Sequence, residues 1–286
     1  MTDAIQCDNL DEAIEHYTKQ LGYRLDMIRP ADAPREAVVS KDGESLRLIA
    51  SSKSSVQSPG SQDVADLGLE TLDVGPASES EWIVGRAGME YRDLIPGRLG
   101  GKVIASHIRL TKGGEVPDYV HYHKIDFQMI YCKRGRIRVV YEDQGPPFWL
   151  ETGDCVLQPP EIRHRVLECT AGAEVIEVSM PAEHETWVEH DMTLPTSKLR
   201  PNRDFDGQRF VRYIAVDAGW KKSEVDGFEE RDTEIMTATN GLVDVRVLRP
   251  IAHTNSSNGV SMGIIKGMLF LLEEGEYLLV SVMSLI

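Results

Sequence analysis

Between Leu67 and Ser179 the apolar residues come in short runs separated by Gly, Pro and Asp. The runs are Glu70–Val74, Lys102–Leu110, Asp126–Tyr131, Arg136–Tyr141, Cys155–Gln158, Arg163–Cys169 and Ala173–Ser179. Many short strands with turn residues between them, uninterrupted by a helical period, predict a mainly β domain built as an antiparallel sandwich or barrel. Upstream the period changes. Leu10, Ala13, Ile14, Tyr17 and Leu21 fall on one helical face, with Asn9 as N-cap, Glu12 completing a capping box and Gly22 closing the helix. A stub strand at Ala4–Cys7 precedes it, and strands at Tyr23–Ile28, Glu36–Ser40 and Ser45–Ala50 follow. Asp42-Gly43 forms the last hairpin turn. Residues 1–52 thus read as a βαβββ unit. Residues 53–66, rich in Ser, Gly and Pro, read as a flexible linker, and 67–200 as the β domain. Strands at Val243–Leu248, Ser261–Ile265 and Met268–Leu272 are expected in a C-terminal segment, 208–286.

Charge removes two classes of partner. The net charge is −15, from 46 acids against 31 bases, and no basic block offsets it, so neither nucleic acid nor an anionic membrane surface is expected. Lys266, Glu273, Glu274 and Glu276 break the apolar C-terminal stretch before it could span a bilayer. Cys7, Cys132, Cys155 and Cys169 form no CxxC pair and read as reduced thiols. With no signal peptide legible at the N-terminus, a cytoplasmic protein is expected.

The candidate chemistry lies between Gly114 and His164. In a strand, residues i and i+2 share a face, so His121 and His123 point together. His164 shares its face with Ile162 and Val166, while Arg163 and Arg165 turn away. Imidazoles are good ligands for first-row transition metals, and two on one strand make a chelating pair that His164 can complete. Asp126 shares the face of Gln128, either as an acid near the metal or as a strand-entry residue in water. Tyr91 and Arg92 can reach a cavity, and Arg92 is equally explained by an ion pair with a neighbouring acid. His107 reads as structural, and His16, His184 and His190 as surface residues.

His121-Tyr122-His123, Gln128 and Gly135, followed by Gly153-Asp154 and Pro159-Pro160-Glu161-Ile162-Arg163-His164, resemble the two motifs of the cupin superfamily. The resemblance implies a jelly-roll β-barrel with a metal held inside by His121, His123, His164 and the residue at 128. Glu161 stands at the family's turn glycine, which implies a local backbone change at the rim. Gln128 stands at its glutamate, which implies a more electropositive site with no protein carboxylate as base. Such a site suits a small anionic or chelating substrate bound directly to the metal. The implied activity is that of a dioxygenase-type oxygenase using a divalent ion, Fe(II) before Zn, Mn or Ni. The alternatives are a non-catalytic small-molecule-binding or oligomerisation cupin with an inert or zinc-filled site, and a cupin isomerase.

Residues 1–52 resemble one module of the vicinal oxygen chelate (glyoxalase-like) superfamily. Its ligand positions are not matched beyond Gln6, so a packing or dimerisation role is implied, and a homodimer is expected. Towards the C-terminus, Glu230-Arg231-Asp232 echoes Glu90-Tyr91-Arg92-Asp93. The offset that sets Gly135 on Gly267 also sets His121 on His253, His123 on Asn255 and Gln128 on Val260. A bicupin with a degenerate, incomplete second cupin is implied.

Overall fold

The structure is a computed structural model describing residues 3–51, 72–74, 81–95, 97–251, 267–272 and 275–283. The linker expected at 53–66, the strand at Ser261–Ile265 and the positions His253, Asn255 and Val260 lie outside these residues.

The chain opens with β1 (Asp3–Cys7), α1 (Leu10–Glu15), β2 (Arg24–Arg29), β3 (Glu36–Lys41) and β4 (Glu44–Ala50). Asn9 Oδ1 accepts from the backbone N–H groups of Asp11 and Glu12, satisfying two of the helix's orphan donors. Asp42 and Gly43, at φ 51° and 86°, provide the left-handed pair that a two-residue hairpin needs. β1 lies parallel beside β4, giving the order β1-β4-β3-β2 around a small core of Leu10, Ile28, Ala37, Val39 and Leu48.

β5 (Leu72–Val74) departs from expectation. It was expected to open the barrel, but it pairs in parallel with a strand near the C-terminus. Three residues carry too little pattern to specify a partner sheet, so the pairing is decided by the free edge available.

The barrel strands are β6 (Ile83–Val84), β7 (Glu90–Asp93), β8 (Ile104–Leu110), β9 (Gly114–Glu115), β10 (His121–Lys124), β11 (Phe127–Arg134), β12 (Arg136–Tyr141), β13 (Phe148–Glu151), β14 (Cys155–Leu157), β15 (His164–Cys169), β16 (Ala173–Met180), β17 (Glu185–Val188) and β18 (Val211–Tyr213). They form two sheets. One runs β17-β10-β15-β12-β13, with β9 on β15, and is extended by β2 of the N-terminal unit into a ten-stranded sheet. Thr186 pairs with Ile28 and Trp187 with Met27 at that seam, so backbone hydrogen bonds tie the N-terminal unit to the barrel. The other sheet runs β18-β14-β11-β16-β8-β7-β6. The architecture is mainly β and matches the jelly-roll cupin fold.

The second sheet is buried on both faces, which is why β11 has no polar alternation to read. Ile130 and Cys132 point into the barrel, whereas Phe127, Met129 and Tyr131 point outward into a second core. That outer core is covered by the C-terminal strands β19 (Lys221–Lys222), β20 (Phe228–Asp232), β21 (Val243–Pro250), β22 (Met268–Leu271) and β23 (Tyr277–Val282), in the order β19-β20-β21-β23-β22-β5.

The order β19-β20-β21-β23-β22 repeats β6-β7-β8-β16-β11, whereas β5 runs parallel to β22 where β14 runs antiparallel to β11. Local chemistry repeats along the first strands. The guanidinium carbons of Arg92 and Arg109 lie 4.8 and 4.0 Å from the Trp82 ring, and those of Arg231 and Arg249 lie 4.2 and 4.0 Å from Trp220. Asp93 Oδ1 accepts from the Ile95 N–H, and Asp232 Oδ1 from the Glu234 N–H. The correspondence therefore sets Asp93 on Asp232. The offset that pairs Gly135 with Gly267 is not the one the strands use: Gly135 follows β11, whereas Gly267 precedes β22, the strand that takes the place of β11.

Candidate metal centre

β10 lies between β15 and β17, and its register brings the histidines together. His121 pairs with His164 across one edge, and His123 pairs with Thr186 across the other. His121 and His123 face inward, 1% and 5% exposed, while Tyr122 and Lys124 face out. The ring centroids of His121 and His164 are 4.2 Å apart, with His123 at 5.2 Å from the first and 5.3 Å from the second. One nitrogen from each of the three lies within 4.8 Å of the others.

Backbone carbonyls orient two of these rings. His121 Nδ1 lies 2.8 Å from the Tyr119 carbonyl and His164 Nδ1 lies 2.9 Å from that of Ile162. A carbonyl only accepts, so Nδ1 carries the proton in both and each Nε2 is the acceptor nitrogen on the cavity side, where that of His164 receives from Gln158 Nε2 at 2.9 Å. His123 Nδ1 is held 2.9 Å from the Thr186 hydroxyl. Three imidazoles so placed fit a first-row divalent ion.

Sequence reasoning missed the groups behind these rings. The Asp118 side chain, fully buried, stands 3.7 Å from His121 Nδ1 and accepts from the Val166 N–H, which ties the approach to β10 onto β15. A carboxylate behind a ligating imidazole raises its basicity. Thr186 was hidden in an acidic segment read as surface, which forms the strand β17.

The rest of the cavity, about 50 Å³, is largely apolar, with Ile108, Ile130, Val139 and Val175 among its walls. Its polar end joins the histidines to Gln128, Gln158, Tyr141 and Glu177. Gln128, 2% exposed, donates from Nε2 to Glu177 Oε1 at 3.2 Å. Position 128 is an amide, but an acid from β16, not Asp126, stands beside it. Strand alternation was the available signal, since Glu177 shares the inward face of its strand with Ala173, Val175 and Ser179. Burial pushes the Tyr141 phenol up, so it stays a donor and reaches Gln158 Oε1 at 3.3 Å.

The remaining sequence candidates sort by face. His184, expected at the surface, is buried, its ring 5.2 Å from that of His123 and its Nδ1 3.1 Å from the Pro181 carbonyl. Burial lowers its pKa, against the opposing influence of Glu177. The segment departs from expectation because Thr186 and Trp187 give it strand character that its flanking acids obscure. Asp126 is exposed just before β11. Tyr91 lines the cavity, while Arg92 turns outward to His107 and Trp82. His190 is held on the N-terminal unit by the Leu25 carbonyl and Asp26. Burial pushes the Cys132 thiol up to about 12, which leaves it without thiolate character at neutral pH.

Glu161 keeps the left-handed conformation of a turn glycine, at φ 57°, so the expected rim change does not occur. Its N–H is bonded to the His123 carbonyl, and Ile162 behind it is fully buried, which leaves the turn no room to relax. A left-handed non-glycine residue costs about 1–2 kcal/mol, and glycine gives back roughly 0.5–1 kcal/mol through the flexibility of the unfolded chain. Glu161→Gly should therefore raise the unfolding free energy by about 0.5–1 kcal/mol in urea titration. A loss of stability would contradict the strain.

Residues 106–179 match the family model of the cupin domain. Among solved structures, variants of oxalate decarboxylase from Bacillus subtilis align at 13% identity and TM-scores of 0.41 and 0.40, each over 59% of this chain and 55% of theirs. The chain thus spans about half the length of those proteins. An RmlC-like cupin from Shewanella frigidimarina NCIMB 400 aligns at 27% identity and TM-score 0.30, over 36% of this chain and 86% of its own. No curated protein matches the chain.

Proposed function

We propose that this cupin domain binds a divalent metal, Fe(II) before Mn, Zn or Ni, through His121, His123 and His164, with Gln128 as fourth ligand. In this reading the protein is a dioxygenase-type oxygenase acting on a small chelating substrate. The observation that carries it is the cluster of inward-facing imidazole nitrogens within 4.8 Å of one another, at the polar end of an otherwise apolar cavity. The ion, when bound, supplies Lewis-acid and redox chemistry at that end. The protein's own part is to present neutral nitrogens, through Tyr119 and Ile162, and to surround the substrate with aliphatic walls that keep bulk water out. A buried water needs about 10–15 Å³, so a cavity of about 50 Å³ supports a substrate of only a few heavy atoms. We read the C-terminal sheet as the remnant of a second cupin, and the N-terminal unit as a packing module on the barrel's edge.

Metal analysis of the purified protein, followed by oxygen-electrode measurements with small enolic and α-hydroxyacid compounds, tests this reading. Stoichiometric iron and substrate-dependent oxygen uptake are expected. Tightly held zinc without turnover, or no uptake of any divalent ion, would overturn it.

A further inference from the structure

A directed chain of hydrogen bonds crosses the polar end of the cavity. Glu177, a carboxylate, only accepts, so Gln128 must turn its nitrogen towards it, at 3.2 Å. The Gln128 oxygen then faces the other way and accepts from Gln158 Nε2 at 3.3 Å. The same Gln158 nitrogen lies 2.9 Å from His164 Nε2, which is an acceptor because Nδ1 is committed to the Ile162 carbonyl. The chain is thus directed from both ends, by the carboxylate at one and by the tautomer of His164 at the other. Ser179 Oγ donates to the same carboxylate oxygen at 3.1 Å and holds it in place. Glu177 makes no ion pair among the described residues, and it stands outside the histidine cluster.

Resting on the metal-binding reading above, we infer that Glu177 is a positioning residue that turns the Gln128 oxygen toward the metal side of the cavity and supplies the negative charge absent from position 128. An amide that donates to an anion is polarised, and its carbonyl oxygen becomes a stronger donor to a cation. The pair Gln128–Glu177 thereby divides between two strands what one carboxylate on β11 would do.

The test is binding of Mn²⁺, and separately Co²⁺, to the full-length protein by calorimetry and by the visible absorption of bound Co²⁺. Glu177→Ala should weaken Mn²⁺ binding by roughly 10- to 100-fold, the usual cost of removing a group that orients a ligand, and should alter the Co²⁺ spectrum. Glu177→Gln keeps the shape and can still accept from Gln128, so it isolates the charge and should weaken binding about 10-fold. Combining Glu177→Gln with Gln128→Glu moves the carboxylate to β11 and should restore wild-type affinity. Wild-type affinity and spectrum in both single variants would overturn the inference while leaving the metal site standing. A wild-type protein that takes up neither ion would overturn the inference together with the reading on which it rests. Because Glu177→Gln keeps the volume and one oxygen that can accept from Gln128, the test holds even if Glu177→Ala fails to fold.

Discussion

Alanine at His121 or at His164 is expected to abolish stoichiometric uptake of divalent metal while the barrel stays folded. Both side chains are buried, and each presents one nitrogen to a common point. With one of three imidazoles gone, the remaining two provide less than the donor set a first-row ion needs. The loss should exceed the roughly 10- to 100-fold that follows removal of an orienting group. Metal content by elemental analysis and affinity by calorimetry measure it. His107→Ala is the matched control: that histidine is also buried, but on the outer face, with Arg92 on Nδ1 at 3.1 Å and Glu174 on Nε2 at 2.8 Å. It should cost stability and leave metal binding intact. Retention of stoichiometric metal by His121→Ala or His164→Ala would remove the ligand assignment.

Phe270→Ala should destabilise the protein by about 3–5 kcal/mol, a large part of the roughly 5–15 kcal/mol that holds a folded chain together. Phe270, 2% exposed, belongs to the core shared by the C-terminal sheet and the outward face of β11 and β16. The same β11 carries Gln128 on its other face, so the core under the C-terminal sheet also supports the cavity. Barrel and C-terminal sheet should therefore unfold together in the variant. Urea titration followed by tryptophan fluorescence and by release of bound Co²⁺ would show one transition moved to lower urea. If Co²⁺ release kept its wild-type midpoint while only part of the fluorescence change shifted, the two sheets would be energetically separate.

The strands and the histidine cluster were legible in the sequence to different depths. Short apolar runs between turn residues located β8, β11, β12, β14, β15 and β16, whether or not the run alternates. Local rules also held where their physics is local: Asn9 caps α1, and Asp42-Gly43 makes the hairpin. β17 escaped because acids flank its Thr186 and Trp187, and because its fit depends on two neighbours, β10 and β2, that lie far away in the chain. The repeat was visible as an Arg-Asp echo. Its register emerged only from the strand order and the two arginine–tryptophan sandwiches.

Residue pattern alone specifies the shared face of His121 and His123, the inward face of His164, and an amide at position 128. These follow from bonded geometry, since alternation and turn preference act over a few residues. Which strand lies opposite which is set by the packing of the whole fold. That pairing sets His121 against His164, brings Asp118 and Thr186 behind the imidazoles, and places Glu177 beside Gln128 across a gap of 49 positions in the chain. The Gln128 amide says only that the carboxylate is missing from β11. Where the charge went depends on β16 packing beside it, a contact set by burial of two sheet faces at once.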